Sequence, residues 1–392
     1  MGSLGTVGSR RESLRVFELV NPRQRRSALL RVAIFHDFLS SLGGGEKLIL
    51  TMAREFDADV ITNDFNPDIL RLAGSQGVRI IDLGPLFKAA PLRQIHASLR
   101  FMGARFRGYD LYVFSGNWCH YGAKRHKPSL MYCHTPVRAF YDQRESMLNR
   151  LPPWQRPLAM LWVAVHSKLD TTSVKHMDFI AVNSENTRGR VRRYYGRDST
   201  VVFPPIAIDS YHFDSIGDFW LSVNRFYPEK RIEMQVEIFR RLPSEKLYIV
   251  GDTQSEETPR RIAASLDLPH NVRLLGAVDQ ERLADLYAKC KGFIATAVDE
   301  DFGMTPVEAM ASGKVVVATN EGGYRESVVD GETGWLLPAD VDAFVQKISS
   351  LTPRDLETMK EKCASRAAEF GERAFIQKLR TLIKSMEIRG LP

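Results

Sequence analysis

A chain of 392 residues, 44% hydrophobic and 26% charged, is long enough for two domains and has a globular composition, which excludes a disordered or low-complexity polypeptide. Its net charge of +7 is unevenly placed: residues 1–205 carry 30 Lys and Arg against 17 Asp and Glu, and residues 206–392 carry 24 against 30. A basic half joined to an acidic half suggests two domains with different partners, the first carrying either an ordinary solvated surface or one that meets an anionic membrane or acidic substrate, and the acidic second half speaks against a nucleic-acid binder.

From the N-terminus, residues 1–27 read as a basic tail, since arginines break up any apolar core of the kind a signal peptide needs. Strand and helix patterns then alternate. "LLRVAIFH" (Leu29 to His36) predicts a buried strand, and "SLGGGEK" (Ser41 to Lys47) a glycine turn into a helix. Gly44 and Gly45 would let backbone approach a ligand at that helix start. The turn matches neither GxGxxG nor GxxxxGK[ST], which argues against NAD or ATP chemistry. "ADVITND", "VRIIDL", "YDLYVFSG", "PSLMYCH" and "DFIAVNS" supply further short β-branched strands, as a parallel sheet requires. Between them, "LFKAAPLRQIHASLRFMGARFRG" (Leu86 to Gly108) has a helical pattern from Leu92. Leu92, Ile95, Leu99 and Met102 share one side, with Arg93, Arg100 and Arg105 largely elsewhere. That side either packs on the sheet or meets a membrane. His134 ends the "PSLMYCH" strand and precedes Thr135-Pro136, a fixed exit suited either to a structural histidine or to one facing a ligand.

"PLAMLWVAV" (Pro157 to Val165) is the longest apolar run, about half of what crosses a membrane. "STVVFPPI" (Ser199 to Ile206) reads as a linker, after which the strand pattern restarts. In "SVNRFYPEKRIE", Arg225 and Lys230 follow a strand's carboxyl end, where open sheets bind ligands; taken alone they are either a solvated loop pair or a clamp on a diphosphate from two directions. In "DEDFGMTPVEAMASG" (Asp299 to Gly313), Thr305 as N-cap, Pro306 at the first helical position and Glu308 three residues on predict a capping box. Glu300 and its neighbours Asp299 and Asp301 lie outside that account. The four cysteines lack CxxC spacing, so a reduced cytoplasmic protein is expected rather than a disulfide or zinc scaffold.

Taken together, "FGMTPVEAM", "NRFYPEK", "GGGE", "CHTPVR" and "GGYRESVVDGETGWL" (Gly322 to Leu336) resemble the retaining glycosyltransferases of family 4, over about residues 30 to 385. "CHTPVRAFYD" and "NSENTRGRVRRYYG" look most like mannosyltransferases that use GDP-mannose in polysaccharide or lipid-linked glycan assembly. The resemblance implies an α/β GT-B fold: two Rossmann-like doubly wound domains facing across a cleft, 28–205 for the acceptor and 206–372 for the nucleotide sugar. A last helix over 373–392 would be free to cross back to the first domain.

By the same resemblance Glu300 accepts from donor-sugar hydroxyls, aided by backbone at Gly303, Met304 and Thr305, and Glu308 binds the ribose. Of the two roles for Glu308, cap or ribose ligand, the ribose is preferred. Arg225 and Lys230 stabilise the leaving diphosphate without a metal or other cofactor, and His134 contacts the donor sugar or orients the acceptor. The implied substrates are a nucleotide sugar, GDP-mannose or alternatively a UDP-sugar, and a glycan or lipid-linked acceptor, at the cytoplasmic membrane face.

Overall fold

The computed structural model describes residues 30–89, 91–251 and 257–388; the basic tail lies outside them. The chain forms two compact units, one running to Ala181 and the other beginning at Val182.

The first sheet contains β1 (Val32–Phe38), β2 (Asp59–Asn63), β3 (Ile80–Asp82), β4 (Leu111–Ser115), β5 (Ser129–Cys133), β6 (Phe179–Val182) and β7 (Thr200–Val201). Their order is β3-β2-β1-β4-β5-β6-β7. Its helices are α1 (Gly44–Phe56), α2 (Asp68–Leu72), α3 (Leu92–Gly103), α4 (Arg144–Asn149), α5 (Arg156–Val174) and α6 (Glu185–Tyr195). Strands β1, β4 and β5 are buried along almost their whole length, so both sheet faces are covered and the strands read as continuous apolar runs.

The second sheet runs β10-β9-β8-β11-β12-β13. It is made of β8 (Phe219–Val223), β9 (Lys246–Val250), β10 (Val272–Gly276), β11 (Gly292–Ala295), β12 (Val316–Thr319) and β13 (Gly334–Leu337). The helices are α7 (Ile232–Arg240), α8 (Glu257–Ser265), α9 (Gln280–Lys289), α10 (Met304–Ala311), α11 (Tyr324–Ser327), α12 (Val341–Ser350), α13 (Pro353–Ala368) and α14 (Glu372–Ile388). Alternation along the strands sends Leu221, Phe293 and Val316 to one face, under α10 and α13. Trp220, Ile294 and Val317 go to the other, under α7 and α12. All four cysteines are free and buried; burial pushes the Cys290 and Cys363 thiols up to about 12 and Cys119 well above its usual value.

In each sheet the strand order reverses once, between β1 and β4 and between β8 and β11. Chain leaving the carboxyl ends of such a pair diverges to opposite faces and leaves a crevice there. The first pair delivers His36 and Ser115, which are directly paired across the two strands. The second delivers the Asn224–Lys230 loop and the Thr296–Gly303 loop.

The units divide earlier than the Ser199–Ile206 linker read from the sequence. Chain contacts explain this: α6, which precedes that linker, is held by the loop after β11, as described below.

At β13 the register sets Gly334 opposite Val316, and a Cβ on Gly334 would lie 2.0 Å from the Val316 carbonyl oxygen. Gly334→Ala is therefore expected to destabilise the protein by about 1–3 kcal/mol, read as a lower denaturant midpoint. An unchanged midpoint would mean that β13 is free to move away from β12.

Candidate active site

In the second unit the loop after β11 carries Asp299, Glu300 and Asp301 into the crevice. Two of these acids are occupied by one arginine. Arg190 of α6, only 6% exposed, donates to Asp299 Oδ2 (2.8 Å), to the Asp299 carbonyl (2.5 Å) and to Asp301 Oδ1. Burial opposes its charge, but the two carboxylates more than offset that and hold the guanidinium above its usual pKa. Asn186, also on α6, donates to Asp299 Oδ1 (3.0 Å) and to the Glu300 carbonyl (2.9 Å). Glu326 accepts from the backbone N–H groups of Glu185 and Asn186 and so closes the start of α6.

Glu300 turns the other way. Its Oε2 accepts from Lys230 Nζ at 2.5 Å, with each side chain 21% exposed. Lys230 is placed by a backbone device: Thr296 at the end of β11 donates to its carbonyl (2.8 Å), and Arg231 follows with a left-handed φ of 51°. Arg231 pairs with Glu321 at 3.1 Å, and Glu321 also accepts from the Asp299 N–H. Gly322 and Gly323 press on the same loop. A Cβ on Gly322 would fall 2.4 Å from the Glu300 carbonyl oxygen, and one on Gly323 would fall 2.3 Å from the Phe302 Cα. Only glycine fits both places, which accounts for the Gly-Gly of "GGYRES". Arg225 is exposed on the loop after β8 and makes no ion pair among the described residues.

Helix α10 begins at Met304 with Gly303 as N-cap at φ 87°, and no side chain caps it. This corrects the expected capping box at Thr305. The helix starts two residues sooner, so Pro306 stands at its third position, still within the first turn where its missing N–H costs nothing. Glu308 is then too far along to reach back. Its carboxylate accepts from the Tyr287 hydroxyl at 2.9 Å instead. The helix ends before Gly313, which is left-handed at φ 68°, with Gly313 N–H donating to the Met310 carbonyl and Lys314 N–H to the Ala309 carbonyl.

The first unit holds a second cluster at its own strand reversal. Gly43 caps α1, and Glu46 reaches back to its N–H at 2.9 Å. The other Glu46 oxygen lies 3.6 Å from His36 Nε2, while His36 Nδ1–H donates to the Ser115 carbonyl (2.5 Å). Burial disfavours charge on both, yet the pair more than compensates: His36 is raised above its usual pKa and Glu46 lowered. His134 lies after β5, with Nε2 2.9 Å from Ser115 Oγ and a Cβ on Gly45 placed 3.7 Å from its ring. Burial, with the charge on His36 adding to it, drops His134 to about 4.

Thus Glu300, Lys230, Gly303 and Met304 come together in one unit, and Gly44, Gly45 and His134 in the other. Sequence reading missed Arg190, Asn186 and Glu321 in the first cluster and His36, Glu46 and Ser115 in the second.

Two parallel, doubly wound units with a crevice at each strand reversal and an uncapped helix start beside a lysine–glutamate pair make this a protein of the GT-B fold. Residues 209–370, within the second unit, match the family Glycosyl transferases group 1. Among sequence relatives, the alpha-1,3/1,6-mannosyltransferase ALG2 of Rhizomucor pusillus is 26% identical over 56% of this chain and 57% of its own length. The Neurospora crassa protein of the same name is 27% identical over 66% and 65%. The chain spans little more than half to about two thirds of the length of these relatives. Among solved structures, Anabaena HepE in complex with UDP and glucose superposes with a TM-score of 0.72 at 17% identity, covering 91% of this chain and all of that one. A sucrose-phosphate synthase from Thermosynechococcus elongatus gives 0.73 at 18%, covering 92% and 100%.

Removing the shared arginine should expose its role. Arg190→Ala takes the shared guanidinium from two part-buried aspartates and is expected to cost about 1–3 kcal/mol, with Arg190→Lys recovering only part because one ammonium cannot fork across two carboxylates. Full recovery by lysine in thermal melts would show that charge alone matters there.

His134 makes a separate test by pH. The unfolded chain takes up this proton near pH 6.5 and the folded one near 4, so folding stability falls as pH drops through that window. Ring NMR of His134 should show a neutral imidazole at pH 6, and His134→Gln should flatten the acid loss of stability. A midpoint near 6.5 in the folded protein would refute the burial account.

Proposed function

We propose that this protein is a retaining glycosyltransferase that moves mannose from GDP-mannose to a hydroxyl of a lipid-linked glycan. The Lys230–Glu300 pair beside the uncapped start of α10, inside a glycosyl transferases group 1 domain, carries the reading. Mannosyltransferase relatives support the sugar.

Lys230 has three N–H donors and spends one on Glu300. The remaining two can serve a diphosphate, with Arg225 approaching from the exposed side and the N–H groups at Gly303 and Met304 from the helix start. These positive groups meet the charge that grows on the departing GDP, so no divalent cation is required for that step. Glu300 has its second oxygen for a sugar hydroxyl. Glu308, held by Tyr287 with Tyr211 close by, meets the ribose hydroxyls, with Thr305 three residues earlier on α10. In the first unit His134, neutral at physiological pH, contacts the donor sugar or orients the acceptor hydroxyl, and Gly44 and Gly45 let the backbone come close. A lipid-linked acceptor places the protein at the cytoplasmic membrane face.

The decisive experiment is a donor panel with nucleoside diphosphate release as readout. GDP-mannose should turn over faster than UDP-glucose or UDP-N-acetylglucosamine, and EDTA should leave the rate unchanged. Glu300→Ala and Lys230→Ala should lower turnover by orders of magnitude. Glu308→Ala should mainly weaken nucleotide binding, roughly ten- to a hundredfold for a lost charged hydrogen bond. A strong preference for a UDP-sugar would overturn the donor, and activity that needs added magnesium would overturn the metal-free step.

A further inference from the structure

Apolar side chains left in water are concentrated on the first unit. Trp154, Leu158, Leu161, Val165 and Leu169 follow one another at intervals of four, three, four and four residues, which sets them along one side of α5 and the turn before it. Their exposure is large: 78% for Trp154, 71% for Leu158 and 61% for Leu161. The opposite side of α5 is the buried one, with Val163, His166, Asp170 and Val174. The helix is therefore apolar on two sides, and only one is covered by other described residues.

A stripe of this size on a monomer marks a contact surface. Its surroundings are cationic. Between residues 144 and 175, Arg144, Arg150, Lys168 and Lys175 are exposed, whereas Glu145 is the one exposed acid. Lys168 stands three residues from Val165 and seven from Leu161, on the same exposed side. Helix α3 belongs to the same region: it and α5 both pack on the turn at Cys119–Arg125 and share a buried cluster through Ala97 and Val163. It too leaves Leu92 and Leu99 more than half exposed.

We infer that α5 is a docking helix for an anionic lipid surface, sinking its apolar stripe among the acyl chains with Lys168 and its neighbours at the headgroups. Charge decides between occupants. A second copy of this face would bring like charges together, whereas an anionic bilayer neutralises them at roughly 1 kcal/mol per basic residue. Two arginines of α3 are already committed within the chain. Arg93 is committed to Asp64 at 3.0 Å, and Arg100 donates to the carbonyls of Leu83, Gly84 and Pro85, so both hold the loop before α3.

Lipid binding by α5 needs neither donor nor acceptor, so it can be tested apart from the transferase reading. The full chain is sedimented with vesicles of phosphatidylcholine alone and of phosphatidylcholine mixed with phosphatidylglycerol. The parent should pellet with the mixed vesicles only, less so as salt rises. Leu158→Glu with Leu161→Glu should reduce partition by about tenfold or more, while the thermal shift caused by GDP stays that of the parent. Absence of parental binding, binding of the double variant equal to the parent, or dispersal by the variant of a dimer that forms without lipid would each overturn the proposal. If the double variant misfolds, quenching by brominated lipid decides: the parent should lose emission that Trp154→Phe does not, and equal quenching would refute insertion.

Discussion

A parallel sheet buried on both faces leaves few places for polar chemistry, because its strands are apolar throughout and its helices cover the rest. What remains is the point where strand order turns round, since only there do neighbouring loops part to opposite sides. The two clusters described above both stand at such points. His36 and Ser115 come from the β1–β4 reversal, and Lys230 and Glu300 follow β8 and β11. The sheet order thus determines where charge can be carried, and the loops determine which charge.

Within the second unit three adjacent acids would repel one another if left alone. Arg190 removes two from contention, and the backbone clamp of Arg231, Glu321 and the paired glycines fixes the loop so that the third faces Lys230. The division of labour is steric as much as electrostatic. Gly322 and Gly323 permit main chain to lie against main chain, which a side chain at either place would forbid.

Much of the fold was legible because short β-branched runs closed by glycine or polar residues leave little choice but a parallel sheet. The strand ends that carry His134, Lys230 and Glu300 were legible for the same reason. Arg190 was not: it acts on Asp299 from 109 residues away in sequence, and in "NSENTRGRVRRYYG" it is one arginine among four, with nothing local to single it out. The start of α10 was misread because proline fits any position of a first turn, so Thr-Pro fixes the helix start only to within a turn. Glu46 and His36 escaped notice because each looks ordinary alone, a glutamate in a first turn and a histidine in a strand, and they become a pair only once α1 folds back over β1.

The buried cysteines have a practical corollary. With every thiol enclosed and those of Cys119, Cys290 and Cys363 held as the unreactive protonated form, the folded chain offers little to a maleimide or a nitroxide reagent. A single cysteine placed on the surface would then carry a spin label or fluorophore against a quiet background, with no native residue to be replaced first. The molecule is in that respect ready for distance measurements between its two units in solution.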